Sequence, residues 1–258
     1  MIVPNSRQRI TQQDLSFALE AVAQNARPTA EGGEVRTQDV DLDVLLDSPL
    51  LFDALVRSRD LLRVSPWFFY YVLVRQILLD KGVADRSVAD YVSALLAHFM
   101  QGSRLDGEGE SAPRSFVYLV DLIEAVRGAR SRQAAFAMEA RIGDVALFLS
   151  GVFPDAIYHR QTYGRRLPGI EYYEAVGRSG YRSAAKHPPA RHAELAEVLG
   201  FMASEFRLVR RALNDLSDGY FCMTRGRAES VDRVLRQALY GTGESRDAAP
   251  GEDEEAES

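Results

Sequence analysis

The amino-acid sequence predicts an all-α protein, a single bundle-like domain of roughly eight to ten helices. Three observations carry this prediction. Apolar residues recur at three- and four-residue spacing through most of the 258 residues. Ser48-Pro49 and Ser65-Pro66 each read as an N-cap followed by proline at the first helical position, where a missing N–H costs nothing. Leu195, Leu199, Met202, Phe206, Val209, Leu213 and Leu216 alternate spacings of four and three, as a heptad seam does.

The elements follow in order. Thr11 and Asp14 open an amphipathic stretch with Leu15, Leu19 and Val22 on one face, closed before Pro28. Residues 26–39 read as a loop from their Pro, Gly and polar content. The two Ser-Pro caps open helices over about 49–63 and 66–81. The second, WFFYYVLVRQILLDK, is apolar on every side for two turns and stops at Gly82, which predicts a buried helix at the centre of the core. Val88, Tyr91, Val92, Leu95 and Leu96 predict a one-sided helix over 87–100. A loop from Gly102 to Pro113 and helices at about 115–127 and 132–151 come next, the latter capped by Ser131. Phe153-Pro154 breaks the chain before a short helix over about 155–162. A turn follows from Gly164 to Gly169, and then a helix from Pro168 to about Lys186, ended by His187-Pro188-Pro189. One helix is expected over about 190–217 and another over about 227–240. The domain is therefore assigned to residues 9–240, and 241–258 to a disordered acidic tail that buries too little apolar surface to order itself.

The formal charge of −6 is misleading if read globally. From Gly243 to Ser258 there are seven acidic residues and one arginine, so that stretch alone carries −6 and the remainder is neutral. A neutral body offers no general field for nucleic acid or an anionic membrane, and neither is an expected partner. Cys222 is the only cysteine, so no intrachain disulfide can form and no cysteine cluster can hold zinc. The N-terminal stretch has no apolar signal-peptide run, and the longest uninterrupted apolar run, Trp67 to Val74, is too short to span a bilayer. A soluble, cytoplasmic protein is expected. Only Lys81 and Lys186 of the basic residues are lysines, which suggests a GC-rich, bacterial coding sequence.

Catalytic signatures are missing. No glutamate has a histidine three residues later, so a ferritin-like di-iron site has no ligands. There is no His-Glu-x-x-His, no nucleophile elbow and no phosphate-binding loop. His98, His159, His187 and His192 are expected to be exposed or structurally hydrogen-bonded. Asp39, Asp41 and Asp43 alternate, which is better explained by acidity at a helix start than by calcium. No catalytic residue, metal site or cofactor is assigned.

One segment stands apart. Tyr158, Tyr163, Tyr172, Tyr173 and Tyr181 fall within 24 residues, amid seven basic and three acidic side chains between Asp155 and Arg191. Arg178, Arg182 and Lys186 form a stripe at four-residue spacing, opposite Ile170, Tyr173, Gly177, Gly180 and Ala184. The simplest account is that the small residues admit a neighbouring helix while the arginines stay solvated. The functional alternative joins Tyr158, Arg165, Arg166, Tyr173, Arg178 and Arg182 into a site for a small anionic ligand or an acidic partner. An enzyme built there would depend on Tyr, Arg, Asp144 and Glu174.

Gly143-Asp144, Leu147-Phe148, Ser150-Gly151, Phe153-Pro154, Tyr172-Tyr173, Gly177 and Tyr181 form a pattern that resembles one in uncharacterised bacterial all-helical proteins. The resemblance implies a bacterial, helical protein and brings no activity with it. Gly143 and Asp144 are expected at a close-packing point, with a buried or capping carboxylate. The favoured function is a non-catalytic interaction or regulatory module that binds a protein partner or itself through helical faces. The alternative is the anionic-ligand site around residues 158–182.

Overall fold

Every regular element among the described residues is helical, as the apolar periodicity predicts. The computed structural model describes residues 2–25, 41–58, 63–100, 118–163 and 168–221. The expected loops at 26–39 and 102–113, Arg165, Arg166, Cys222, the 227–240 helix and the acidic tail lie outside them. The helices are α1 (Gln12–Asn25), α2 (Leu42–Leu46), α3 (Pro49–Arg57), α4 (Pro66–Asp80), α5 (Arg86–Met100), α6 (Tyr118–Arg127), α7 (Arg132–Val152), α8 (Pro154–Tyr163), α9 (Ile170–Lys186), α10 (Pro188–His192), α11 (Ala196–Ser204) and α12 (Phe206–Leu216).

Helix starts follow cap chemistry. The side chain of Asp41 accepts from the Asp43 N–H at 2.9 Å, Ser65 from Phe68 at 3.2 Å and Ser131 from Ala134 at 3.1 Å. Pro49 and Pro66 take first-turn positions, although Ser48 makes no side-chain cap bond. Past the end of α4, Gly82 adopts φ 78°, a left-handed conformation that costs glycine little. Asp14 serves two helices at once. Its carboxylate accepts from the Thr11 N–H and hydroxyl on its own helix and from the Ser65 N–H and hydroxyl at the start of α4, at 2.7–2.8 Å. Four donors make its complete burial tolerable. Arg75, also buried, makes a bidentate pair with Asp47 and donates to the Ala84 carbonyl, tying the end of α2 to α4 and to the turn before α5.

Three expectations need correction. The helix enclosed on every side over its longest stretch is α7, not α4: all residues from Ile142 to Val152 are buried. On α4, Trp67, Phe69 and Tyr70 are only partly buried, while Phe68 is fully enclosed. The apolar count underrates α7 because Gly143, Asp144, Ser150 and Gly151 occupy its buried surface. The second correction concerns α5, which is buried all round from Tyr91 to Ala97 rather than on one face. The third concerns the single helix expected over 190–217. Glu194 ends α10 with φ 57°, and Glu205 (φ −100°, ψ 23°) separates α11 from α12. The chain turns at these two points, yet all seven seam residues are buried inside this one chain. The seam is a wall of the bundle and is not exposed for a second copy.

Helices α6, α9 and α12 all pack on α7. The approach of α9 is the closest. A Cβ on Gly180 would come within 2.8 Å of the Glu139 carbonyl oxygen and 3.0 Å of the Gly143 nitrogen, and backbone cannot move aside cheaply. A Cβ on Gly143 would lie 2.5 Å from the Tyr181 ring, and one on Gly177 would penetrate the Phe206 ring. The small-residue face of α9 is thus a helix-packing face.

Candidate functional site

The sequence-predicted residues do not meet at one point. Tyr158 on α8 and Tyr173 on α9 are both under 10% exposed. Burial raises the Tyr173 hydroxyl pKa above its ordinary value, against the lowering effect of the Arg160 charge. Arg178 and Arg182 sit around the helix from Tyr173, towards α11 and α12. Arg178 is half-buried, with its Nη2 3.4 Å from the Ser204 carbonyl at the end of α11, and Arg182 is exposed. Arg165 and Arg166 lie outside the described residues.

Around Glu174, which the sequence did single out, tertiary packing gathers Arg207, Arg210 and Asn214, which it did not. Glu174, two turns before Arg182, turns into the protein and is 6% exposed. Its Oε1 accepts from Arg210 Nε at 2.8 Å and its Oε2 from Arg207 Nε at 3.0 Å. Burial pushes the Arg210 guanidinium below its ordinary pKa; the Glu174 carboxylate opposes this, while Arg211 and Arg207 reinforce it. Arg210 Nη1 passes the network on to the Asn214 side-chain oxygen, and Asn214 Nδ2 donates to the Ser150 and Gly151 carbonyls at 2.9 and 2.7 Å. Ser217 Oγ donates to the Val152 carbonyl at 2.8 Å. These carbonyls are the open end of α7, where no further turn supplies N–H groups, so α12 caps a helix that terminates inside the core. The network is structural, with two arginines of its rim, Arg207 and Arg211, reaching the surface.

Asp144 is fully buried where α5, α7 and α9 meet. Its Oδ1 accepts from the Tyr91 hydroxyl at 2.7 Å and the Tyr181 hydroxyl at 3.1 Å, and its Oδ2 makes no hydrogen bond. Burial raises its pKa above the ordinary carboxyl value, and the hydroxyl bonds and the nearby Arg141 charge only partly oppose this. Burial also pushes both tyrosines well above their ordinary values, so they remain donors. Closed from solvent, this cluster can cross-link three helices but cannot meet a substrate. Its effect on stability has a definite sign. The folded state holds the Asp144 proton to higher pH than the unfolded state, so the contribution is full below the unfolded value near 4 and is lost as pH rises through the folded value. Asp144→Asn cannot ionise. Its stability relative to wild type should therefore rise with pH across that window and then level off, in urea titrations between about pH 4 and pH 8. Parallel profiles for the two proteins would show that Asp144 is not held protonated.

Among the described residues, a groove of about 310 Å³ between α6 and α9 has room for a ligand. Both helices pack on α7 and scarcely touch each other, so α7 forms the floor. Ile123, Val126 and Arg127 line one wall, Val176, Ser179, Gly180 and Ser183 the other, and Glu139 and Ile142 the base. Glu139 is engaged, 2.9 Å from His187 Nε2. Apart from Arg127 and Glu139, the groove is lined by apolar and small side chains. Sequence inspection could not find it, because Ile123, Val126 and Val176 look like any core face until the helices are placed.

No group of three or more His, Cys, Asp or Glu side chains able to hold a metal occurs among the described residues. Nor is any helix among them long and apolar enough to cross a membrane. Compared with known proteins, the chain has no significant match to a protein-family model, a curated protein or a solved structure.

Proposed function

We propose that this chain is a non-catalytic interaction module of a bacterial cytoplasm, which receives an apolar helix face from a protein partner or a second copy. The observation that carries this proposal is the α6–α7–α9 groove, whose aliphatic lining is Ile123, Val126, Ile142 and Val176. A channel between two helices with a third as floor accepts an amphipathic helix through a few aliphatic anchors at i, i+3 and i+4. Ser179 and Ser183 are small side chains on the α9 wall and leave room for such an approach. The conspicuous buried polar groups, Asp14, Asp144, Glu174 and Arg210, are engaged in internal hydrogen bonds, which favours a scaffold over a catalytic centre. A site for a small anionic ligand made jointly of Tyr158, Tyr173, Arg178 and Arg182 has less support, because the tyrosines are buried and the arginines face elsewhere.

Ser183→Trp tests the proposal by filling the groove from a half-buried position. It should leave the circular dichroism spectrum unchanged and weaken partner binding at least about tenfold, a loss of about 1.4 kcal/mol. Sedimentation velocity of the purified protein reports a second copy, and quantitative affinity capture with wild-type and variant baits reports another partner. Identical sedimentation and identical capture profiles for the two proteins would sink the groove as the binding face.

A further inference from the structure

On the far side of α9 from the groove, arginines of α9 and α12 come near one another around Glu174. Arg178 and Arg182 lie four residues apart on α9, and α12, whose first turns meet α9, bears Arg207, Arg210 and Arg211. The helices are in register here: Gly177 faces the Phe206 ring, Glu174 binds both Arg207 and Arg210, and Arg178 reaches Ser204. Glu174 is the carboxylate paired within this group; Glu171 on α9, Glu197 on α11 and Glu205 at the start of α12 are exposed, and Asp215 near the end of α12 pairs with Lys81. Two guanidinium donors, Arg178 Nε and Arg211 Nε, are buried atoms with no acceptor. Buried donors of this kind normally find a partner, and charged ones bind carboxylates best.

The densest run of carboxylates is elsewhere in the same chain. Residues 243–258 carry −6 while the rest of the chain is neutral. The described chain leaves α12 through the turn Ser217–Phe221, at the opposite end of that helix from Arg207. The distance back from Phe221 to Arg207 is about 21 Å at helical rise. The 22 residues from 222 to 243 could span about 70 Å if extended. Reach is no obstacle, and the charges are complementary.

We propose that residues 243–258 dock on this arginine patch in the full chain. Their carboxylates pair with Arg178, Arg182, Arg207 and Arg211, and while docked they shield these guanidiniums from any other acidic partner. The contact is one of charge and adds nothing to the core.

The test uses the full-length chain with Cys222→Ser and Ser258→Cys, carrying a nitroxide at position 258. At low ionic strength, amide resonances of residues 174–182 and 204–211 should broaden, while those around the groove, such as Val126, should not. The broadening should vanish at about 0.5 M salt, where charges several ångströms apart are screened. It should also be lost when Glu252, Asp253, Glu254 and Glu255 become their amides, a change that leaves the patch untouched, and should be reduced severalfold by Arg178→Glu with Arg182→Glu. Absent or uniform broadening overturns the proposal, as does localised broadening that survives salt or amide replacement. Broadening that appears only when labelled and spin-labelled molecules are mixed would place the segment on another copy and would equally overturn the intramolecular contact.

Discussion

Replacing Glu174 by alanine is expected to cost about 3–5 kcal/mol of stability, because it leaves the Arg210 charge buried without its counter-ion. Arg210 is 2% exposed and donates its Nε to Glu174 at 2.8 Å. Removing the carboxylate also frees Arg210 to move away from Asn214, and so threatens the cap that α12 places on the end of α7. Glu174→Gln, which keeps an acceptor for Arg210 Nε but no charge, should cost less than the alanine variant. Arg207→Ala should cost less than about 1 kcal/mol, since that arginine shares the same carboxylate from a largely solvated position. Urea denaturation of the three variants tests the ordering. A Glu174→Ala cost as small as that of Arg207→Ala would show that Arg210 gains solvent or another partner.

Phe68→Ala is expected to cost a similar amount, about 3–5 kcal/mol, and Phe69→Ala clearly less. The Phe68 ring has no exposed surface and meets Phe17 of α1 edge-on, with ring centroids 6.4 Å apart. Phe69 is partly exposed and contacts its neighbour Tyr70. The cost of deleting a ring follows the cavity left behind, and solvent or adjacent side chains can fill the space at Phe69. Thermal and urea denaturation of both variants would decide the matter. If Phe69→Ala were the more damaging, α4 would have to be rotated about its axis from the orientation described here.

Sequence alone identified both phenylalanines as helical and apolar but could not rank them. On a helix apolar all round for two turns, periodicity carries no phase, and the phase decides which ring is enclosed. The same loss of phase hid the centrality of α7. Its Gly143, Asp144, Ser150 and Gly151 lower the apolar count of the most enclosed helix, although Gly143 and Asp144 do form the close-packing point with a buried carboxylate that was expected of them. The heptad spacing correctly gave the buried edge of α11 and α12. It missed the turn at Glu205 because side-chain spacing can continue across a break that only the backbone records.

The candidate site was legible only in part. Arg178 and Arg182 stood out because a four-residue spacing fixes them on one face of one helix. Their neighbours on α12 did not, although the run Arg207-Leu208-Val209-Arg210-Arg211 was an available signal, overshadowed by the seam it interrupts. Tyr158 and Tyr173 were drawn in by proximity in sequence, and packing then turned them inward.

The sequence by itself determined the helical class, the cap-defined helix starts and the apolar edges of the bundle, because each depends on interactions within a few residues. It also determined where net charge accumulates. The tertiary structure alone decided that Glu174 meets Arg207 and Arg210 across 33 and 36 residues, that Asp144 lies between two tyrosines, and that α6 and α9 part to leave a groove. Those outcomes depend on the rotation of each helix about its axis and on how closely glycine lets a neighbour approach. Both are settled only when the whole core packs.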